Sequence, residues 1–149
     1  MWELLRRFSA LDKQARAVFV RAGLLLPVIA LSLRIRGFCK TQEMLQKFFP
    51  IQPSPTSAVR TGTTARMVRA AARYGLTRAN CLEQSLGLWF LLGRQGVASE
   101  LRIGSRKVAG RFEAHAWVVC HGEALNETQE VHRHYAAFDR ALSSVAEAR

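Results

Sequence analysis

Apolar residues fall in helical blocks over the first half of the chain and in alternation over part of the second. Trp2, Leu4, Leu5 and Phe8 make a first apolar face. Asp12 is placed to cap a second, long helix that reaches Arg36. Its apolar run, residues 22–33, contains Pro27 and is bounded by Arg21 and Arg34, so a core helix kinked at Pro27 is expected. Met44, Leu45, Phe48 and Phe49 suggest a third helix. Residues 49–57, FPIQPSPTS, hold three prolines in nine positions and read as a loop or linker.

Residues 59–74 predict a helix that packs through Val59, Met67, Ala70, Ala71 and Tyr74, with Gly75 as its stop. The next helix runs from Cys81 to about Leu92. Leu82, Leu86 and Trp89 recur at helical spacing, and Gly93 and Gly96 end it. Residues 99–106 and 111–120 alternate as strands around a turn at 107–110. His121-Gly122 signals another turn, and the tail from Val131 predicts a short helix docked by Tyr135 and Phe138. Helices followed by an antiparallel sheet make an α+β fold. One domain is expected over residues 1–149, with a helical part at 1–49 and a core at 58–149 that carries the chemistry.

Composition narrows the function. The chain has 149 residues, 49% of them hydrophobic, enough for a core without staples. Its three cysteines show no CxxC spacing, which argues against a disulfide framework or zinc knuckle and for a reducing, cytoplasmic setting. Cys120, His121, His132 and His134 do not make a convincing ligand set, so no metal and no cofactor are expected. The net charge of +11 invites an anionic partner. The arginines are scattered, however, and no RNP-like aromatic motif accompanies them, so nucleic acid is not expected. The run at 22–33 is too short to span a bilayer and lacks a cleavage site behind it; membrane contact is not expected.

Cys81 stands at a predicted helix start with Asn80 as its N-cap. A helix N-terminus carries partial positive charge, which favours a thiolate. On the strand 111–120, Glu113, His115, Trp117 and Val119 point one way, and Ala114, Ala116, Val118 and Cys120 the other. The second set suits a core. The first places His115 on a face expected to meet the Cys81 helix, as Cys–His catalysis requires. A third group should orient the imidazole. A three-residue loop at 120–122 sets Glu127 opposite His115; a two-residue loop at His121-Gly122 puts Asn126 opposite Trp117 and turns Glu127 away. Glu127 is preferred and Asn126 kept as the alternative.

The segments NCLEQSLGLWFLLGRQG, LRIGSR and FEAHAWVVCHGEALNE together resemble the transglutaminase-like cysteine peptidases of lasso-peptide biosynthesis, in particular the stand-alone leader peptidases of split systems. The likeness extends to the N-terminal helices and to VHRHYAAFDR, and so covers most of the chain. It implies a papain-like or transglutaminase-like core with Cys81 as nucleophile and His115 as general base. It also implies a carboxylate third member; Glu127 stands where the family usually has Asp. The implied activity is removal of the leader from a precursor peptide. A separate leader-binding protein presents that precursor, and an asparagine-synthetase-like cyclase closes the macrolactam. The Cys81 N–H is the expected oxyanion donor, with Gln84 or Asn80 as the second. Two other readings are carried forward: an acyltransferase or amidase on the same triad, and a non-catalytic basic module that binds peptide or RNA.

Overall fold

The computed structural model describes residues 11–48 and 58–126, together with the backbone of two short strands at 136–137 and 142–143. Trp2, Leu4, Leu5, Phe8, Phe49, Glu127, His132, His134, Tyr135 and Phe138 lie outside the described residues.

Helix α1 spans Lys13–Gln46, and Asp12 caps it by accepting from the Ala15 N–H at 2.6 Å. Its backbone stays helical through Pro27 and leaves helical geometry only at Gly37, whose φ is 76°. The expected break at Pro27 therefore falls ten residues later. Proline removes one ladder bond, but residues on both sides of it, Ala22, Leu26 and Ile29, are held in the core. Gly37 instead adopts a left-handed φ that side chains resist. Across that break the Ser32 and Thr41 hydroxyls lie 2.8 Å apart, and Thr41 also donates to the Gly37 carbonyl.

One face of α1, with Ala15, Val18, Ala22, Leu26 and Ile29, is buried. The other presents Val20, Leu24, Val28, Leu31 and Ile35 to solvent, Leu24 at 62% and Ile35 at 74% exposure. A helix apolar nearly all round does not declare in its sequence which face is covered. By length and composition α1 is long and apolar enough to cross a membrane.

Helix α2 spans Ala58–Tyr74 and buries Thr61, Thr64, Ala65, Met67, Val68, Ala71 and Ala72. Tyr74, expected inside, is exposed, with the Arg73 guanidinium 5.5 Å above its ring. Gly75 follows and donates to the Ala71 carbonyl at 2.7 Å. Its role is clearance, because a Cβ there would collide with the Ala71 carbonyl oxygen. Helix α3 spans Cys81–Arg94 and is buried from Ser85 to Trp89 and again from Leu91 to Gly93.

Strands β1 (Glu100–Val108) and β2 (Arg111–Cys120) form an antiparallel hairpin in which Gly104 pairs with His115. Strand β3 (Glu123–Ala124) pairs with the end of β2. Strands β4 (Ala136–Ala137) and β5 (Leu142–Ser143) both pair with β1, so the sheet order is β3-β2-β1-β4 with β5 also on β1. The tail expected to be helical thus supplies strand instead; pairing it closes the outer edge of β1. Leu26 and Ile29, Val68 and Ala71, Leu86, Trp89 and Leu92, and Leu101, Val118 and Cys120 meet in one core. The fold is α+β.

Candidate active site

The start of α3 is fixed by its own side chains. Asn80 accepts from the Glu83 N–H, and the Glu83 carboxylate accepts from the Asn80 N–H, both at 2.9 Å. This reciprocal cap sets Cys81 as the first helical residue. Its N–H is among those that no intrahelical carbonyl can reach. The Gln84 amide turns back to the Ala79 carbonyl at 2.7 Å. Of the three residues considered as oxyanion donors, Asn80 therefore serves the cap through its side-chain oxygen and Gln84 anchors the preceding loop through one amide proton.

Two contacts set the direction of α3 against β2. Near its start, Ser85 donates its hydroxyl to the Ala116 carbonyl at 2.8 Å. Just past its end, the Cys120 thiol lies 3.4 Å from the Ala98 carbonyl. Helix and strand thus run the same way. Cys81 lies one turn before Ser85, about 6 Å along the axis. Two strand residues advance about 6.6 Å, so one turn back from Ala116 is the level of Ala114 and His115. His115 is half-buried opposite buried Gly104, which brings no side chain, and its ring lies 17° from parallel to Trp117 with centroids 6.2 Å apart.

The helix does not meet the His115 face of the sheet, as the sequence suggested. The sheet residues in its core are Leu101, Val118 and Cys120, and strand alternation puts His115 and Trp117 on the opposite face. The approach is along an edge. Leu125 donates to the Val118 carbonyl, so the even-numbered residues of β2 direct their main-chain groups toward β3. Ala116 directs its carbonyl to that same side, and there Ser85 has replaced a strand.

Asn126 completes the edge. Its side-chain oxygen accepts from the Val118 N–H at 2.9 Å, and its amide donates to Ser85 Oγ at 2.8 Å. Arg69 of α2 holds its main-chain carbonyl at 3.0 Å. Sequence reasoning missed Ser85 and Arg69. A hydroxyl four residues after Cys81 in an otherwise apolar turn was the available signal.

The turn before β3 is the two-residue one, with His121 at φ 51° and Gly122 at φ 82°, and Val119 pairs with Ala124. The three-residue loop that set Glu127 opposite His115 is not formed. At Asn126 the side-chain oxygen, rather than the main chain, meets the Val118 N–H. Glu127 itself lies outside the described residues.

Of the three thiols, Cys39 is exposed, Cys81 half-buried and Cys120 buried. Burial pushes the Cys120 thiol above the usual range, and the Glu123 carboxylate adds to it, so this thiol stays protonated. Among the described residues no three His, Cys, Asp or Glu side chains converge as metal ligands.

A model of the transglutaminase-like superfamily matches residues 23–139. The chain belongs to that superfamily. The match begins inside α1, so the long helix belongs to the superfamily domain together with the hairpin. No curated protein and no solved structure matches the chain. The transglutaminase-like fold is of the cysteine-peptidase and acyltransferase type, and its members are generally catalytic.

Proposed function

We propose that the chain is a cysteine peptidase that removes the leader from a ribosomally made lasso-peptide precursor. The observation that carries the reading is the Ser85–Ala116 bond, which sets the first turn of α3 level with His115. Superfamily membership supports the reaction type. The sequence likeness to lasso leader peptidases supports the substrate.

In this reading His115 takes the Cys81 thiol proton and Cys81 Sγ attacks the scissile carbonyl carbon. The Cys81 N–H donates to the oxyanion. His115 then delivers its proton to the departing amine nitrogen, and water hydrolyses the thioester. Glu127 orients the imidazole. A separate leader-binding protein presents the precursor, and a separate cyclase joins the freed amine to a side-chain carboxyl. The work takes place in the cytoplasm, where precursors are made.

The test is cleavage of a lasso-precursor peptide, followed by mass spectrometry with and without a leader-binding protein. Two fragments whose masses sum to the precursor plus one water support a peptidase. The superfamily also supports a second reading, acyl transfer to an amine. Its product would retain the acyl group on an added amine, without net hydrolysis. Binding without turnover, steeply weakened by salt, would favour the basic binding module.

A further inference from the structure

The solvent face of α1 is apolar along its length. Val20, Leu24, Val28, Leu31 and Ile35 recur every three or four residues, and each is between 49% and 74% exposed. At 3.6 residues per turn they share an arc of about 80° and form a stripe about 22 Å long. A helix this apolar is ordinarily buried. Here an 18-residue apolar window of α1 is 22% buried in the fold. Exposed apolar patches of this kind mark contact surfaces.

Charge is arranged around the stripe. No Asp or Glu stands between Asp12 and Glu43, whereas Lys13, Arg16, Arg21, Arg34, Arg36 and Lys40 do. By helical position Arg21 borders the stripe on one side, Arg16 and Arg34 border it on the other, and Lys13 stands at its start. The stripe ends at Ile35, two residues before Gly37 turns the chain out of helical geometry.

We infer that this stripe is a membrane-contact surface: α1 lies flat on an anionic lipid bilayer, with Leu24 and Leu31 among the acyl chains and the flanking arginines at the headgroup phosphates. The inference does not depend on the reading of Cys81. Long basic side chains reach from an apolar surface to polar headgroups. The helix lies on the bilayer rather than across it, because its other face, with Ala22, Leu26 and Ile29, is held in the core. Spanning needs about 20 apolar residues. Lying flat needs one apolar face, and that face is defined only once the fold has covered the other. A second copy of the chain suits the stripe less well, since each copy brings a net charge of +11. Anionic lipid supplies both the opposite charge and the apolar phase.

Co-sedimentation of the full chain with vesicles is the test, using phosphatidylcholine alone or with about one-third phosphatidylglycerol. At low salt the anionic vesicles should bind at least roughly tenfold more tightly. Leu24→Gln/Leu31→Gln alters two side chains already in solvent, so Tm should be kept while binding falls at least about tenfold at every salt concentration. Arg21→Gln/Arg34→Gln should weaken binding mainly at low salt. Lys107→Gln/Arg111→Gln removes the same charge from the exposed hairpin turn and should change binding less than about twofold. The inference is overturned if anionic vesicles do not bind, or if Leu24→Gln/Leu31→Gln binds like the parent. It is also overturned if the hairpin pair matters as much as the α1 pair, since net charge alone would then explain binding. A dimer in sedimentation velocity that Leu24→Gln/Leu31→Gln dissolves would assign the stripe to a second copy instead. A Tm lowered several degrees by that variant would show the stripe covered within the chain, and would equally overturn it.

Discussion

Ser85 donates its hydroxyl to the carbonyl of Ala116, a residue 31 positions away and next to His115. The same oxygen accepts from the Asn126 amide, whose carbonyl oxygen satisfies the Val118 N–H. Three elements are joined by one run of hydrogen bonds, mostly removed from water, where an unmatched group is costly.

Ser85→Ala leaves the Ala116 carbonyl and the Asn126 amide each short of a partner. A loss of about 1–3 kcal/mol is expected, seen as a Tm several degrees lower with the secondary structure retained. Asn126→Ala breaks the run at two points and should cost more. If both variants melt like the parent, the relay has no structural weight.

Cys81→Ser and His115→Ala should each lower kcat/KM for precursor cleavage by at least roughly a thousandfold. Iodoacetamide should label Cys81 ahead of exposed Cys39, and His115→Ala should remove that advantage. Equal slow labelling of both thiols would contradict a Cys–His pair.

Glu127→Ala should reduce kcat by at least roughly a hundredfold, with Glu127→Asp retaining most activity. In Asn126→Ala, activity should fall only in step with stability. Full activity in Glu127→Ala would remove it from the triad.

The Cys120 thiol titrates above its unfolded value, so the folded chain holds this proton more tightly. Its stabilisation is present below the ordinary thiol range and is lost as pH rises through the folded pKa. Urea unfolding from pH 7 to 10 should therefore show a steeper alkaline decline in the parent than in Cys120→Ala. Parallel curves would refute the linkage.

Gly62 and Gly75 should respond oppositely to alanine. Gly62 sits exposed within α2, and the space that an alanine methyl would take there is open, so Gly62→Ala should stabilise by about 0.5–1 kcal/mol. Gly75→Ala drives a methyl into the Ala71 carbonyl and should destabilise. Thermal melts of the two variants check the sign.

Much of this was legible in the chain. Asn80 before Cys81 marked a helix start because cap chemistry is local, and alternation around residues 107–110 marked the hairpin for the same reason. What escaped was decided between elements. Asn and Glu at 126 and 127 look interchangeable as partners for His115, and only the Asn126–Ser85 contact shows that one of them seals the edge of β2. The apolar surplus of α1 hid which face would be covered. Pro27 read as the kink, and the structure puts the departure from helical geometry at Gly37 instead.

The relay that sets Cys81 beside β2 also orders events in time. Its bonds join residues 31, 41 and 57 positions apart, from Arg69 to Asn126. During synthesis, the Cys81 helix emerges from the ribosome before the strand that carries His115 and before the asparagine that locks the two together. Long-range closures of this kind come late in folding. On the peptidase reading, nucleophile and base therefore come together only when residue 126 is in place.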